Sequence, residues 1–259
     1  MKMEVKKILT VARYTFVEIY KSRILINVLF LGIALIFISY IASEFSYIAS
    51  SRVAIDFGLG AMTIAGLGIA IFMGVNLIYR EVESRTIYMI LSNPIRRFSF
   101  LMGKIIGMSG ILLINTLILG AFAISFYIYL GGVLDTLLVT AVFFSFLESV
   151  LMLLFVVLFS LITNVVMSVV FAVAVYILGH VIHSTMLVTF VKNNALFGKS
   201  LKIFSLFFPN LSNLNVKDYV IYKQYVSLEY VLKTSLCTMI YMVILIIIIS
   251  MIFNRKNLD

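Results

Sequence analysis

Glu148 is the residue whose position costs the most free energy in this sequence. It lies near the middle of an apolar run, FFSFLESVLMLLF over 143–155, where a charged side chain costs roughly 2.5–3.5 kcal/mol on insertion scales. Such a carboxyl could line a translocation path or exchange protons. It could also be a protonated acid that hydrogen-bonds a neighbouring helix, through Ser145 or Ser149. The residues alone leave both readings open.

Two histidines and two asparagines are further polar candidates within apolar runs. His180 and His183 are one helical turn apart, a spacing that can hold a metal ion. No third ligand is near them and the chain has one cysteine, so a histidine pair without metal is favoured. Asn76 and Asn115 are predicted to form hydrogen bonds between helices.

The sequence contains a short motif that resembles a phosphate-binding loop. Gly198-Lys199-Ser200 matches its last three residues, but Asn193 stands where the Walker A motif needs glycine. Neither G-x-S-x-G nor H-E-x-x-H is present, so esterase and zinc-protease chemistry find no support. We therefore expect a chain that is not an enzyme by itself and that binds no cofactor or metal.

A charged segment, REVESRTIYMILSNPIRRFSFLMGK over 80–104, follows the second apolar run. Its spacing predicts a short amphipathic helix over 80–91 that presents Glu81, Glu83 and Arg85 and ends at Ser92-Asn93-Pro94. A charged helix between two spans can transmit force from a soluble partner. Spacing alone favours a solvated connector whose charges follow the positive-inside rule.

The composition places these residues in an integral membrane protein. The chain has 259 residues, 63% hydrophobic and 12% charged, with a net charge of +9. A soluble domain carries about 25% charged residues, so the soluble class is excluded. Lys and Arg cluster at the ends of apolar runs, which argues against a nucleic-acid partner and for anionic lipid. The sequence predicts one all-α polytopic domain over 1–259 with six transmembrane helices, at 24–42, 57–79, 104–130, 136–162, 165–187 and 229–252.

The remaining segments are assigned to the membrane surface. Residues 1–23 predict an interfacial amphipathic helix whose apolar stripe is Val5, Ile8, Ala12, Phe16 and Ile19. The counts of Lys and Arg predict that both termini and the 80–103 coupling region are cytoplasmic. Residues 188–228 are then an extracytoplasmic interfacial segment, although its lysines count against that side by the same rule.

Small residues at a spacing of four predict close helix packing. One set, in the second apolar run, is Gly66, Ala70 and Gly74. Gly103 and Gly107 repeat the spacing at the start of the third run. Such sets let two transmembrane helices approach closely, and they indicate a packed bundle without specifying its function.

The stretch from Asp56 to Lys104 resembles the membrane subunits of ABC-2 type exporters. The likeness is nearest to the branch of multicopper-enzyme maturation and nitrous-oxide reductase assembly permeases. The residues that carry it are Asp56 before a Gly-rich span, YREVESRTI over 79–87, LSNPIRR over 91–97 and FLMGK over 100–104. The likeness extends over nearly the whole chain, but only 56–104 is specific. Asn93 departs from the family, where a basic residue is frequent.

The resemblance implies a permease that forms a translocation path and couples to a separate cytoplasmic ATPase, which binds ATP and magnesium. It implies two ATPase copies, and a homodimer or a pair with a related permease, in the cytoplasmic membrane of a prokaryote. The 80–91 helix would be the coupling helix, with Arg80, Glu81, Glu83 and Arg85 as contacts. Two alternatives are an ion-coupled secondary transporter that uses Glu148 as its proton site, and a scaffold that transports nothing.

Overall fold

The computed structural model describes most of the chain and shows it to be helical. Every regular element in this part of the chain is a helix, so the predicted all-α fold class is confirmed there. Side chains are described except at 2–3, 76–83 and 182–186. The described residues are 2–21, 30, 32–34, 37–41, 44, 50–83, 96–186, 209–221 and 225–255.

The helices differ widely in length, and the short ones fall together between the last two long ones. A 3-10 helix over Leu211–Leu214 precedes the shortest α-helix. In chain order the α-helices are α1 (Lys2–Lys21), α2 (Ser50–Glu83), α3 (Arg97–Tyr129), α4 (Thr136–Ile162), α5 (Val165–Met186), α6 (Lys217–Ile221) and α7 (Leu228–Arg255).

Among the described residues, four helices are long and apolar enough to cross a membrane. They are α2 over Ser50–Val75, and the whole of α3, α4 and α7. A shorter apolar helix runs over Val165–Val181 within α5. The count of six spans stays a prediction, because much of the first predicted span, 24–42, lies outside the described residues.

Helix α4 lies at the centre of the bundle. It is apolar on all sides, as a helix surrounded by other helices must be, and it packs against α2, α3, α5 and α7. Its residues from Leu151 to Val157 are all buried. Helix α7 has a different role, because Leu236, Ile240 and Val243 are more than half exposed. Such a face suits contact with lipid or with a second subunit.

Two short turns fix the antiparallel order of α3, α4 and α5. After α3 the chain turns at Gly131, whose φ of 84° is one that residues with a Cβ rarely adopt. Between α4 and α5 only two residues intervene. Thr163 Oγ1 donates to the Phe159 carbonyl at 2.9 Å, and Asn164 Oδ1 accepts from the Met167 amide at 3.0 Å. These bonds satisfy backbone groups at both helix ends.

The small residues singled out in the sequence lie at close helix contacts. Gly66 lies against Ser149 Oγ of α4, Ala70 is fully buried, and a Cβ at Gly74 would be 2.8 Å from Val156 Cγ1. A Cβ at Gly103 would lie 2.6 Å from Val11 Cβ, and one at Gly107 would lie 2.6 Å from the Ala12 carbonyl oxygen. The first set therefore faces α4, and the second faces α1.

Helix α1 lies along the first half of α3, and the predicted stripe needs one correction. Ala12 is buried there, whereas Val5 is 57% exposed. Thr15, which the stripe did not include, is 2% exposed and occupies the inward face. Val5 is at the edge of the stripe, and its neighbour Glu4 turns toward α3 to contact Ser99 instead.

The described part of the connection between α5 and α7 is buried in the bundle. The 3-10 helix contacts α4 and α5, and α6 contacts α2 and α4. Leu211, Leu214 and Val216 are each at most 3% exposed. The prediction of a purely interfacial segment over 188–228 does not fit residues 209–221, because their apolar side chains are inserted between helices. We call residues 209–221 the inserted segment.

Candidate functional site

The predicted coupling region is only partly within the described residues. Helix α2 continues through Arg80, Glu81 and Glu83 without a break, so these residues extend the second span and do not begin a separate helix. Their side chains, and all of residues 84–95 with Arg85 and the Ser92-Asn93-Pro94 stop, lie outside the described part. The helix predicted over 80–91 therefore starts as the end of α2.

A polar cluster joins α1 to the first turn of α3. Ser99 Oγ donates to Glu4 Oε2 at 2.6 Å, and Arg96 Nε and Lys7 Nζ each lie 3.8 Å from Glu4 Oε1. Ser99 is in the first turn of α3, where the helix dipole favours a carboxylate. We call Glu4, Lys7, Arg96 and Ser99 the Glu4 cluster.

The charge state of Glu4 follows from these contacts. The hydrogen bond from Ser99 lowers the pKa of the Glu4 carboxyl below its ordinary value of 4.5. Partial burial opposes this shift, and the positive charges of Lys7 and Arg96 add to it. Glu4 is therefore ionised at neutral pH and holds its three partners as an anion.

Two further contacts fasten neighbouring helices at the same end of the bundle. Lys104, only 8% exposed, lies with its Nζ 3.6 Å from Glu18 Oε2 and so joins α3 to α1 again. Arg97 Nη1 donates to the Asn254 carbonyl at 3.2 Å, which joins α3 to the end of α7. Sequence analysis identified neither contact, because each joins helices that are far apart along the chain.

The second polar cluster is inside the bundle, around Glu148. This side chain is 5% exposed, and its Oε1 lies 3.4 Å from His180 Nε2 on α5. The serines considered as its partners have other roles: Ser149 Oγ donates to the Ser145 carbonyl at 2.8 Å. Among the described residues, neither Ser145 Oγ nor Glu148 Oε1 has a hydrogen-bond partner.

His180 is oriented by its own helix. Its Nδ1 lies 3.1 Å from the Tyr176 carbonyl oxygen, and the two rings are 4.6 Å apart between centroids. The side chain of His183 lies outside the described residues. The sequence suggested a pair of histidines one turn apart, whereas the structure pairs His180 with a carboxyl group of another helix.

Lys217 brings the inserted segment into this cluster. Its Nζ donates to Thr63 Oγ1 of α2 at 3.2 Å, and its charge acts on Glu148. Burial lowers the pKa of the Lys217 amine, and the negative charges of Glu148, Asp56 and Asp218 oppose that shift. Sequence analysis did not single out Lys217, because it treated the lysines of 188–228 only as a topology signal. We call Thr63, Glu148, His180 and Lys217 the Glu148 cluster.

Of the remaining polar candidates, Asn115 is the one whose side chain the structure describes. Asn115 is buried, but its Nδ2 has no hydrogen-bond partner among the described residues. The side chain of Asn76 and the Gly198-Lys199-Ser200 tripeptide lie outside them. Within the described ranges, His, Cys, Asp and Glu form no group of three that could hold a metal ion.

A cavity lies between the inserted segment and α7. It has a volume of about 320 Å³ and an amphipathic lining. Its polar groups are hydroxyls and amides, with Lys233 as the charged residue, and Tyr230 OH donates to the Asn213 carbonyl at 2.9 Å. The other lining residues are Leu151, Pro209, Asn210, Leu214, Thr234, Cys237, Thr238 and Tyr241.

Comparison with known proteins finds one family. The family model described as ABC-2 family transporter protein matches residues 9–258. No curated protein matches the sequence. The family match includes all four helices that are long and apolar enough to span a membrane, and it includes the whole Glu148 cluster.

Proposed function

Because this chain belongs to the ABC-2 transporter family, it is an ABC transporter permease embedded in a membrane as a multi-pass protein, and we propose that it forms the translocation path of an exporter. The family match over 9–258 is the observation that carries this proposal. The chain is a transport component rather than a catalyst, and the ATP and magnesium that drive export belong to a separate ATPase in the proposal.

The arrangement of charged helix ends supports docking of that ATPase at one end of the bundle. Helix α2 extends four residues beyond its apolar run, from Arg80 to Glu83, which is about 6 Å of rigid helix. Gly58 packs on Ala123 and Gly120 on Met62, so α2 and α3 run antiparallel and this charged end lies at the same end of the bundle as the start of α3. There the Glu4 cluster and the Arg97 contact hold α1 and α7. Arg80, Glu81, Glu83 and Arg85 are the proposed ATPase contacts.

The topology and assembly of the proposed exporter follow from charge and family. The basic ends of α3 and α7, at Arg96, Arg97 and Arg255, support a cytoplasmic location for this end of the bundle by the positive-inside rule. Both termini are then cytoplasmic, in the cytoplasmic membrane of a prokaryote. We further propose two permeases, identical or related, on two ATPases, with the maturation-type branch as their nearest relatives.

The contacts also suggest how movement passes into the bundle. Closure of the two ATPases on each other would push the end of α2, and α2 packs along α3 and α4. Helix α1 would follow α3, since Gly103 and Gly107 bring their backbones together and two ion pairs join them. Helices α1 and α3 therefore move as one body in this proposal.

Affinity purification of the tagged chain from its native membranes tests the proposal. We expect a stoichiometric ATPase with Walker A and ABC signature motifs to co-purify, and ATP hydrolysis by the complex to be coupled to transport. Glu81→Lys combined with Glu83→Lys should uncouple hydrolysis from transport without unfolding the chain. Loss of coupling is expected because reversed charges repel a surface that complements acidic residues.

The matched control is Glu229→Lys, an exposed glutamate in the first turn of α7 at the opposite end of the bundle. This variant should keep both the ATPase and coupled transport. A chain that purifies alone and transports without ATP would contradict the exporter and favour the ion-coupled transporter. Coupled transport that is unchanged in the double variant would contradict the assignment of the docking residues.

A further inference from the structure

The geometry at His180 places two hydrogen-bond acceptors against each other. A carbonyl oxygen only accepts, so the contact of His180 Nδ1 with the Tyr176 carbonyl requires the proton of a neutral ring to be on Nδ1. Nε2 then carries a lone pair, and it faces Glu148 Oε1 at 3.4 Å. A lone pair and a carboxylate oxygen repel each other, and one added proton turns this repulsion into a hydrogen bond.

The surroundings of Glu148 in the described part of the chain give its Oε1 no donor, which increases the need for a proton between Glu148 and His180. Glu148 is 5% exposed, and among the described residues its Oε1 accepts no hydrogen bond. Water cannot readily supply the missing donor, because the space beside the carboxyl is about 10 Å³, which is room for one water at most. An ionised carboxyl at this depth without a donor or a counter-ion is strongly disfavoured.

Lys217 offers the carboxyl a second source of positive charge. Its ammonium group donates to Thr63, lines the same small space as Glu148, and interacts with it electrostatically. With no proton on the Glu148–His180 pair, the pair carries one negative charge, which the Lys217 ammonium balances. With a proton bound, the pair is neutral overall, and the partly buried Lys217 ammonium loses the counter-charge of Glu148.

We propose that Glu148 and His180 form a proton-binding site inside the helix bundle, and that the bound proton competes with Lys217 and so loosens the inserted segment. The site binds a proton as a carboxylic acid that donates to His180 Nε2, or as an imidazolium that donates to the carboxylate. Raising the pH holds residues 209–221 in place through Lys217, and lowering the pH releases them. This inference concerns the chain alone and does not depend on an ATPase.

The neighbouring groups are compatible with this competition. Helix α3 turns the uncharged Asn115 into the core, and Tyr241 of α7 packs on Phe155, two turns along α4 from Glu148. The charges of Asp56 and Asp218 act on Lys217, so they favour its ammonium form. The titratable groups that act on the cluster are therefore Tyr176 and His180 of α5, Lys217 and Asp218 of α6, and Asp56 of α2.

Nuclear magnetic resonance of the histidine ring nitrogens tests the proton site directly. The chain has only two histidines, so His183→Gln leaves the signals of His180 alone. In the full chain in lipid nanodiscs, we expect Nδ1 to stay protonated while Nε2 changes with pH. Glu148→Gln should shift that titration by about one pKa unit or more, which is a tenfold change in proton affinity. A permanent proton on Nε2, or a titration unchanged in Glu148→Gln, would overturn the proposal.

Cysteine labelling tests the release of the inserted segment. Ala141 of α4 lines the space beside Glu148 and is 6% exposed, so we use Ala141→Cys in a Cys237→Ser background. Its rate with a water-soluble maleimide, corrected for the thiolate fraction measured at that site, is divided by the equally corrected rate of Ser227→Cys, an exposed site. We expect the ratio to rise roughly tenfold on acidification, as one pKa unit of linkage gives.

The variants separate this mechanism from general loosening by acid. Glu148→Gln and Lys217→Met should each give a high ratio that no longer depends on pH. His180→Gln leaves Glu148 to bind the proton alone, so it should keep the response and shift its midpoint. Lys233→Met, a lysine of the larger cavity, is the matched control and should keep the full response. A flat ratio in the unsubstituted background, or a pH response that survives Glu148→Gln or Lys217→Met, would overturn the proposal.

Discussion

The Glu4 and Glu148 clusters use the same residue types in opposite surroundings. Each pairs a carboxyl group with positively charged or titratable partners, some of which come from another part of the chain. The Glu4 side chain is 33% exposed and its ion pairs are 3.8 Å long, whereas Glu148 is 5% exposed within the bundle. Water and salt screen the first cluster and leave the second almost unscreened.

This difference assigns the two clusters different consequences. Exposed ion pairs contribute little to stability, so the Glu4 cluster mainly fixes how α1 sits against α3. A buried ionisable group costs free energy that an apolar residue of similar size would not, so stability does not explain Glu148. The Glu148 cluster therefore lowers the stability of the chain, which indicates that it serves a property that needs a charge.

The largest expected effect comes from removing one charge of the buried cluster. Lys217→Met leaves Glu148 without a counter-charge, and we expect it to lower the free energy of unfolding by about 3 kcal/mol at neutral pH. Titration with a denaturing detergent in mixed micelles measures this change. The double variant Lys217→Met with Glu148→Gln should recover at least half of the loss, because no uncompensated charge remains.

The control for this prediction is Lys233→Met. Lys233 is exposed on α7, and its replacement should change the free energy of unfolding by less than about 0.5 kcal/mol. Equal effects at Lys217 and Lys233 would show that burial does not distinguish the two lysines. The contrast between the two clusters would then be wrong.

A smaller effect is expected at the close contact between α1 and α3. Gly107→Ala places a Cβ 2.6 Å from the Ala12 carbonyl oxygen, a backbone atom that can move only with its helix. We expect a loss of about 1–3 kcal/mol, measured in the same detergent titration. Gly68→Ala is the matched control, since a Cβ there meets nothing within 4 Å and should cause no loss. Equal losses at both glycines would contradict the close-packing argument.

Elements were easier to predict from the sequence than the contacts between them. The apolar run 136–162 matches α4 residue for residue, because hydropathy and turn residues act locally. The depth of Glu148 also followed from the run that surrounds it. The role of Lys217 did not follow from the sequence, because it depends on where residues 209–221 pack. The apolar pattern of those residues suits a membrane surface as well as a helix interface.

The partners within each cluster could not be read from spacing for the same physical reason. Glu4 and Ser99 are on different helices, and their meeting depends on the approach of α1 to α3 at Gly103 and Gly107. The sequence contained those glycines but not their partner helix. His180 was paired with His183 because helical spacing shows only neighbours on one helix, while the carboxyl that contacts it is on another.

The smallest expected effect is that of Glu4 on the packing of α1 against α3, and this effect depends on pH. The folded state lowers the pKa of Glu4 below 4.5, so its contribution is present above that pH and is lost as pH falls through the lower, folded value. Spin labels at Leu9→Cys and Ile106→Cys, both exposed, report the distance between α1 and α3 in the Cys237→Ser background. The distance distribution should stay narrow at neutral pH and broaden only in acid. Glu4→Gln should broaden it slightly at all pH values, and less than Gly107→Ala does. A broader distribution in Glu4→Gln than in Gly107→Ala would mean that charge, and not close packing, holds α1 in place.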